Sequence, residues 1–213
     1  MKLNAKELRT VDEEKARDKL KTLKKRPLYL ILENVYDTYN IGGLFRLADA
    51  IGVARLYLCG EMEIPPNSRI KKASIGTYKV VDWEYKNTAS KAIQEIRALI
   101  DSYKSSETVT VMNQLPTSNY QQPDLQVIAI EQDKRSVPYT EIQYAYPLAL
   151  VVGNESTGIT PDTLSLVDHI AEIPMWGINQ SLNVIVSAAI VSYHAITSVN
   201  LSFEPGVGIG PTL

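Results

Sequence analysis

The sequence predicts an α/β fold in which a mostly parallel sheet is flanked by helices. Residues 28–32 and 147–152 form short, continuous apolar runs, which are typical of strands buried on both faces of a sheet. A helical pattern of apolar residues over 41–51 lies between the first run and another strand-like run at 53–59. Strand, helix and strand in this order are the pattern of a parallel crossover unit.

The length and composition predict a single soluble, cytoplasmic domain with a short extra arm. The chain has 213 residues with a net charge of −2, contains no apolar run of membrane-spanning length, and its N-terminus lacks the apolar core of a signal peptide. Its one cysteine and two histidines show no metal-ligand spacing, so neither a disulfide nor a metal site is predicted. Cys59 ends the apolar stretch LYLC and is predicted to be a buried, inert thiol. His169 and His194 are predicted to be structural.

Charge is distributed unevenly along the chain. Ten Lys and Arg stand against five Asp and Glu before Pro27, and twelve stand against nineteen from Pro27 onward. A helix is expected from Lys6 to about Lys24, closed by the residue before Pro27. This basic arm is compatible with phosphate contacts, because a polyanion responds to local charge, and a solvated helix is the alternative.

The remaining elements follow from local patterns, taken in chain order. Gly52 is suited to end the first helix, and Pro161 and Asp162 suit the first turn of a short helix. Strands are predicted at 78–83, 108–112, 126–130 and 170–173, and a helix at 88–103. Polar loops are expected around 131–138 and between the strand at 108–112 and that at 126–130. The segment RIKKASIGT contains Arg69, Lys71 and Lys72, which indicate either an RNA-facing surface or an exposed turn of helix.

The segment IPMWGINQSLNVIVSAA, residues 173–189, leads from a strand end through a loop into an almost wholly apolar helix. Ser181 is a residue type suited to the N-cap of that helix. Asn179, Gln180 and Asn183 add more hydrogen-bonding capacity than one cap needs, and a helix N-terminus offers unpaired N–H groups. A capped buried helix and a ligand-binding helix entry both account for this pattern.

Three segments together resemble the motifs of a known family. In order and spacing, NVYDTYNIGGLFRLADAIGV, LALVVGNESTGIT and IPMWGINQSLNVIVSAAI are similar to the three motifs of the SpoU-type (TrmH-like) RNA ribose 2′-O-methyltransferases of the SPOUT superfamily. The resemblance extends from about Leu28 to Ala195. It implies a C-terminal deep trefoil knot, S-adenosylmethionine as the cofactor, and a homodimer with its sites near the subunit interface. No GxGxxG fingerprint is present, in keeping with this cofactor.

The resemblance also assigns site residues. Cofactor contacts, largely through backbone groups, fall to Ile130, Gly153, Ile173, Ser181 and Leu182. The polar active-site positions of the family match Asn40, Arg46, Glu155, Ser181 and Asn183. Glu155 suits either a chemical role or a structural one, in which its carboxylate holds a loop by accepting backbone N–H bonds.

Arg46 matches the family's essential arginine, for which two roles stand open. In the mechanism proposed for this family, the arginine is the base that removes the 2′-hydroxyl proton. Because an arginine normally stays protonated, Arg46 is equally suited to hold the target phosphate and stabilise the developing alkoxide.

The chain departs from the family pattern at three places. Ser156 replaces the middle glycine of GxEGxG, which predicts a loop less permissive of positive φ at that point. Trp176 stands where a small residue is common and is expected to fill core rather than to cover the cofactor pocket. The segment 105–124 is longer than the family core requires.

The predicted organisation is a basic N-terminal helical arm at 1–26, a methyltransferase domain at 27–199 and a short C-terminal tail at 200–213. The short basic arm before Pro27 resembles family members that act on tRNA more than the ribosomal-RNA members with a separate N-terminal RNA-binding domain, so the resemblance favours tRNA as the substrate. The short tail argues against the tRNA D-loop guanosine enzymes, so ribosomal RNA is the alternative. A different class of function is a non-catalytic RNA-binding protein on the same scaffold.

Overall fold

One parallel sheet forms the centre of the molecule. The computed structural model describes residues 3–12, 25–104 and 123–201. Within these ranges the strands are β1 Leu28–Glu33, β2 Arg55–Cys59, β3 Trp83–Lys86, β4 Gln126–Ile130, β5 Val137–Pro138, β6 Leu148–Val152 and β7 His169–Glu172. They lie in the order β3-β2-β1-β6-β4-β7-β5, and each neighbouring pair is parallel. The predicted fold class, an α/β fold with a parallel sheet flanked by helices, is therefore confirmed.

Helices cover both faces of this sheet. In the described ranges they are α1 Ala5–Thr10, α2 Thr38–Ile51, α3 Ser68–Ser74, α4 Ala89–Lys104, α5 Pro161–Leu164 and α6 Val184–Leu201. Gly52, in the left-handed region at φ 65°, ends α2 as predicted. No helix in the described part of the chain is both long enough and apolar enough to span a membrane.

Strand β1 shows why its sequence is apolar without alternation. Leu28, Leu30 and Leu32 pack into a core cluster with α2 and α6, whereas Tyr29 and Ile31 pack into a second cluster with α4. Every residue of β1 is buried, because helices cover both faces and β2 and β6 flank both edges.

The strand predicted at 78–83 is wrong. A 3-10 turn occupies Thr77–Lys79, and β3 begins only at Trp83, where it pairs with β2. Tyr78 and Val81 are buried against the same core cluster as α2. Their burial under a helix, rather than pairing in the sheet, produces the apolar pattern that resembles a strand.

The prediction of one continuous arm helix over 6–24 is wrong. Helix α1 ends at Thr10, and Val11 is extended at φ −60° and ψ 136°. The Nζ of Lys79 donates to the carbonyl oxygen of Val11 at 2.8 Å, which provides a partner for the chain where the helix stops. Residues 13–24 lie outside the described residues.

Other predictions fall beyond the described ranges or need correction. The strand predicted at 108–112, most of the 105–124 segment and the tail beyond Leu201 lie outside the described residues. The three domain boundaries stay predictions. Strand β5 lies where a polar loop was expected, pairing with β7 as the last strand of the sheet order.

Cys59 and His194 have the structural surroundings that the sequence predicted. Burial raises the pKa of the Cys59 thiol to about 12, so the thiol stays protonated at neutral pH. The His194 ring packs edge-on against Tyr139 and Tyr144, at centroid distances of 5.1 and 5.6 Å. By contrast, His169 is exposed at the start of β7.

Candidate active site

A cavity of about 730 Å³ opens at the carboxyl edge of the sheet. Strands β1, β4, β6 and β7 all end there because they are parallel, and the loops that follow them form its wall. The first turns of α2 and α6 complete the wall. The lining includes all but one of the predicted site residues, namely Asn40, Ile130, Gly153, Glu155, Ile173, Ser181, Leu182 and Asn183.

Three side chains connect the three predicted motifs in one hydrogen-bond chain. Asn40 Nδ2 donates to Glu155 Oε1 at 2.8 Å, and Asn183 Nδ2 donates to Asn40 Oδ1 at 3.0 Å. Asn183 Oδ1 in turn accepts from the backbone N–H of Ile185 at 2.9 Å. We call these three residues the Glu155–Asn40–Asn183 network. It fixes the first turn of α2, the loop after β6 and the start of α6 relative to one another.

The Glu155 carboxylate holds a loop, as the structural alternative predicted. It accepts backbone N–H bonds from Tyr36 and Asp37, both at 3.2 Å. Burial alone would raise the pKa of Glu155, but the hydrogen bonds from Asn40 and from these backbone groups bring the pKa below its usual value. The resulting stabilisation is present above the unfolded carboxyl pKa and is lost as the pH falls through the lowered folded pKa.

Asn183, not Ser181, caps the apolar helix. Helix α6 begins at Val184, and the Asn183 side chain accepts from the second backbone N–H group of the helix. Ser181 lies in the preceding loop, where its backbone N–H donates to Asn179 Oδ1 at 3.3 Å. The N–H donors expected from a helix entry at Ser181 are therefore loop donors.

The loop after β6 requires glycine at two positions. Gly158 adopts φ 69°, and a Cβ on Gly153 would collide with the carbonyl carbon of Gly158 and lie 2.5 Å from Ile159 N. Ser156 does not adopt a positive φ, so the serine in the middle of the GxEGxG-like motif does not strain the loop. The lower tolerance of positive φ expected at Ser156 therefore has no cost in this loop, because the positive φ falls at Gly158.

Sequence reasoning missed two carboxylates that hold the segment after β6, and one of them, Glu131, also lines the cavity. Glu33, 4% exposed, accepts from Thr160 N at 2.9 Å and from Thr163 Oγ1 at 2.6 Å. Glu131 accepts from Ile159 N at 3.0 Å. Each glutamate lies at or just after the carboxyl end of a buried strand, and that position is the sequence signal that would have indicated them.

Arg46 does not lie in the cavity with the other predicted site residues, and Trp176 does not lie in the core. Arg46 is exposed on α2 and does not line the cavity. Trp176 is 93% exposed, so the expectation that it fills core is wrong. It sits in a loop between β7 and α6 where Gly177 has no heavy atom within 4 Å of an added Cβ, so the loop stands clear of the core there.

The cavity is acidic. Four carboxylate side chains line it, those of Asp37, Glu131, Glu155 and Glu172, and the lining, all of it within the described ranges, includes no Lys, Arg or His. Apolar side chains such as Ile130, Ile173, Met175 and Leu182 share the wall. Such a site favours a ligand with cationic groups and an apolar part, and it repels phosphates. The described residues hold no group of His, Cys, Asp and Glu arranged for a metal ion.

Comparison with known proteins shows the family to which the chain belongs. The model of the SpoU rRNA Methylase family matches residues 27–113 and 96–193, which is most of the chain. The chain belongs to the SpoU methylase family. Its match to that model includes every residue of the Glu155–Asn40–Asn183 network, as well as Arg46.

Relatives within the SpoU family act on different RNAs according to their names. The chain is 28% identical over 178 residues to a tRNA (guanosine(18)-2′-O)-methyltransferase of Aquifex aeolicus, covering 81% of this chain and 70% of that one. It is 26% identical over 182 residues to a 23S rRNA (guanosine-2′-O-)-methyltransferase of Acinetobacter baylyi, covering 85% and 64%. The chain thus spans less than two thirds of the length of the second relative.

A solved structure shares the fold. The SpoU methyltransferase AviRb from Streptomyces viridochromogenes, in complex with the cofactor AdoMet, matches with a TM-score of 0.69 at 18% identity, covering 87% of this chain and 65% of that one.

Proposed function

We propose that this chain is an S-adenosylmethionine-dependent RNA methyltransferase that methylates a ribose 2′-hydroxyl, with tRNA as the favoured substrate. The observation that carries the proposal is the Glu155–Asn40–Asn183 network, which joins the three motifs around one cavity. Membership of the SpoU family and the names of its relatives agree with this activity.

The residues that line the cavity fit S-adenosylmethionine. This cofactor would supply an electrophilic methyl on a sulfonium cation. The acidic wall favours the sulfonium and the ammonium group, and the apolar side chains of Ile130, Ile173 and Leu182 suit the adenine. Backbone groups at these residues, at Gly153 and at Ser181 are the proposed cofactor contacts.

The residues of the chain orient the acceptor more than they activate it. The 2′-oxygen forms a bond to the methyl carbon as the carbon–sulfur bond breaks, and the hydroxyl proton leaves to solvent. Asn40 and Asn183 are committed to the network, so their role is to position the loops. Glu155 stays ionised with a lowered pKa, which makes it a weak base. We assign Arg46 to the target phosphate and the developing alkoxide.

A homodimer is part of this proposal. Arg46 does not line the cavity of a single chain, so RNA or a second copy must bring it and the reacting atoms together. Helix α6 exposes Val186 and Tyr193, at 44% and 52%, and the loop before it exposes Ile178 fully. This apolar surface supports pairing with another copy.

We also propose the deep trefoil knot that the family resemblance implies. The position of β6 supports it, because this late strand lies between β1 and β4 rather than beside β5 in the sheet.

Incubation with labelled S-adenosylmethionine tests the activity. Purified chain is mixed with total tRNA or with ribosomal RNA, and the label is mapped after alkaline hydrolysis, which a 2′-O-methyl group blocks. We expect the label in tRNA, in alkali-resistant dinucleotides. Label in ribosomal RNA alone would redirect the substrate, as the Acinetobacter baylyi relative suggests. Absence of both cofactor binding and transfer would favour a non-catalytic RNA-binding protein.

Glu155→Gln separates the structural role of this carboxylate from a chemical one. In the variant, the NH₂ group would face backbone N–H groups from which the carboxylate now accepts hydrogen bonds. The loop that lines the cavity would then be held less firmly, and we expect S-adenosylmethionine to bind several-fold more weakly. The shape of the pH–rate profile between about pH 6 and 9 should stay that of the unaltered chain, since Glu155 is ionised throughout that range. Loss of a pH-dependent limb in the variant would instead identify Glu155 as the base.

A further inference from the structure

A second cavity, of about 470 Å³, lies between α1 and the segment that runs from α3 to the 3-10 turn. We call it the basic cavity. Its lining residues are Arg9, Ser68, Lys71, Lys72, Gly76, Tyr78 and Lys79. Four of these are cationic and none is acidic, in a chain whose residues from Pro27 onward carry twelve Lys and Arg against nineteen Asp and Glu.

Helix α1 is held against the body at this point. Lys79 Nζ donates to the carbonyl oxygens of Val11 at 2.8 Å and of Arg9 at 3.4 Å. Gly76 adopts φ 91°, and a Cβ there would lie 2.5 Å from the carbonyl oxygen of Leu8. The C-terminal end of α1 therefore rests directly on this turn, and its position brings Arg9 to the wall of the basic cavity.

The other three cations have no acidic partner in the part of the chain that the structure describes. Among the described residues, the side chains of Arg9, Lys71 and Lys72 form no ion pair or hydrogen bond, whereas Lys79 is engaged by α1. Like charges around one cavity repel each other, and an anion that binds among them relieves this repulsion.

We infer that the basic cavity binds backbone phosphates of the RNA substrate. This inference rests on the proposed function, under which RNA must reach the active-site cavity. That cavity is acidic and has no cation in its lining, so phosphates must be neutralised elsewhere. Helix α2 connects the two regions, since its first turn carries Asn40 at the active-site cavity and its Gly42 lies against Ala73 of α3.

The chemistry of the basic cavity favours the RNA backbone over a small phosphate compound. The charge comes from lysine and arginine side chains on α1, α3 and the 3-10 turn, and helix α3 is only seven residues long. Contacts of this kind bind phosphates irrespective of base sequence and set the salt dependence of binding.

The test compares the salt dependence of tRNA binding in three full-length proteins: the unaltered chain, the double variant K71Q/K72Q and the control K91Q. Lys91 is an exposed lysine on α4, and it does not line the basic cavity. We expect K71Q/K72Q to reduce the slope of log K against log salt by about 2, at about 1 per lost phosphate contact, and K91Q to leave it unchanged. The affinity for S-adenosylmethionine and the thermal unfolding temperature should be the same in all three proteins.

The outcomes separate this inference from the proposed function. An unchanged slope in K71Q/K72Q overturns the inference, even if the unaltered chain methylates RNA. A reduced slope in K71Q/K72Q, with no methyl transfer by the unaltered chain, supports the basic cavity as an RNA site and refutes the proposed activity. Binding of inorganic pyrophosphate that depends on Lys71 and Lys72, together with an unchanged slope for RNA, would assign the cavity to a small phosphate compound and overturn the inference.

Discussion

Arg46→Lys is expected to keep S-adenosylmethionine binding intact and to lower methyl transfer to RNA by about 100-fold or more, the usual effect of removing one donor to a developing oxyanion. Lysine keeps the charge but loses the planar fork that can hold a phosphate through two parallel N–H bonds. The exposed position of Arg46, outside the cavity lining, makes a change in cofactor affinity unexpected. Calorimetric titration of cofactor and single-turnover transfer measure the two effects separately.

A matched control for Arg46→Lys is Arg135→Lys, which changes another exposed arginine, in the loop after β4, that lines neither cavity. We expect single-turnover transfer by this control to be close to that of the unaltered chain. Near-normal turnover by Arg46→Lys itself would contradict the role assigned to Arg46.

Gly153→Ala is expected to weaken S-adenosylmethionine binding about 10- to 100-fold. The new Cβ would meet the backbone of Gly158 and Ile159, which cannot move aside as the end of a flexible side chain could. Overpacking of this kind costs about 1–3 kcal/mol, and the displaced loop carries Glu155 of the network away from Asn40. Titration of cofactor, together with thermal unfolding, measures the loss.

Gly177→Ala is the matched control for Gly153→Ala. It adds the same methyl group in another motif loop, where no heavy atom lies within 4 Å of the new Cβ, and Gly177 does not line the cavity. We expect its cofactor affinity and unfolding temperature to equal those of the unaltered chain. Equal cofactor affinity in Gly153→Ala and Gly177→Ala would show that the close approach at Gly153 does not shape the cavity.

Much of the fold could be predicted because burial on both faces leaves a direct pattern in the sequence. The apolar run at 126–130 coincides with β4, and the run at 28–32 with most of β1. Prediction failed where burial had another cause. Tyr78 is buried beneath α2 in a 3-10 turn, and nothing in its neighbours' hydrophobicity separates that environment from a strand.

Much of the candidate site could also be predicted from the sequence, but the division of roles among its residues could not. The resemblance indicated which residues gather at the cavity, and eight of them line it. It did not predict that Asn183 would cap α6 in place of Ser181, because both residue types suit an N-cap and the choice depends on where the loop meets Asn40. The exposure of Trp176 could not be predicted either, because a loop that leaves the core has no periodic pattern.

The location of the cofactor is the central claim, and a crystal structure of the chain with S-adenosylmethionine tests it most directly. We predict the cofactor in the cavity at the carboxyl edge of the sheet, against the backbone of Ile130, Gly153, Ile173 and Leu182, with the Glu155–Asn40–Asn183 network intact. Cofactor bound elsewhere, or a network broken to admit it, would contradict the account.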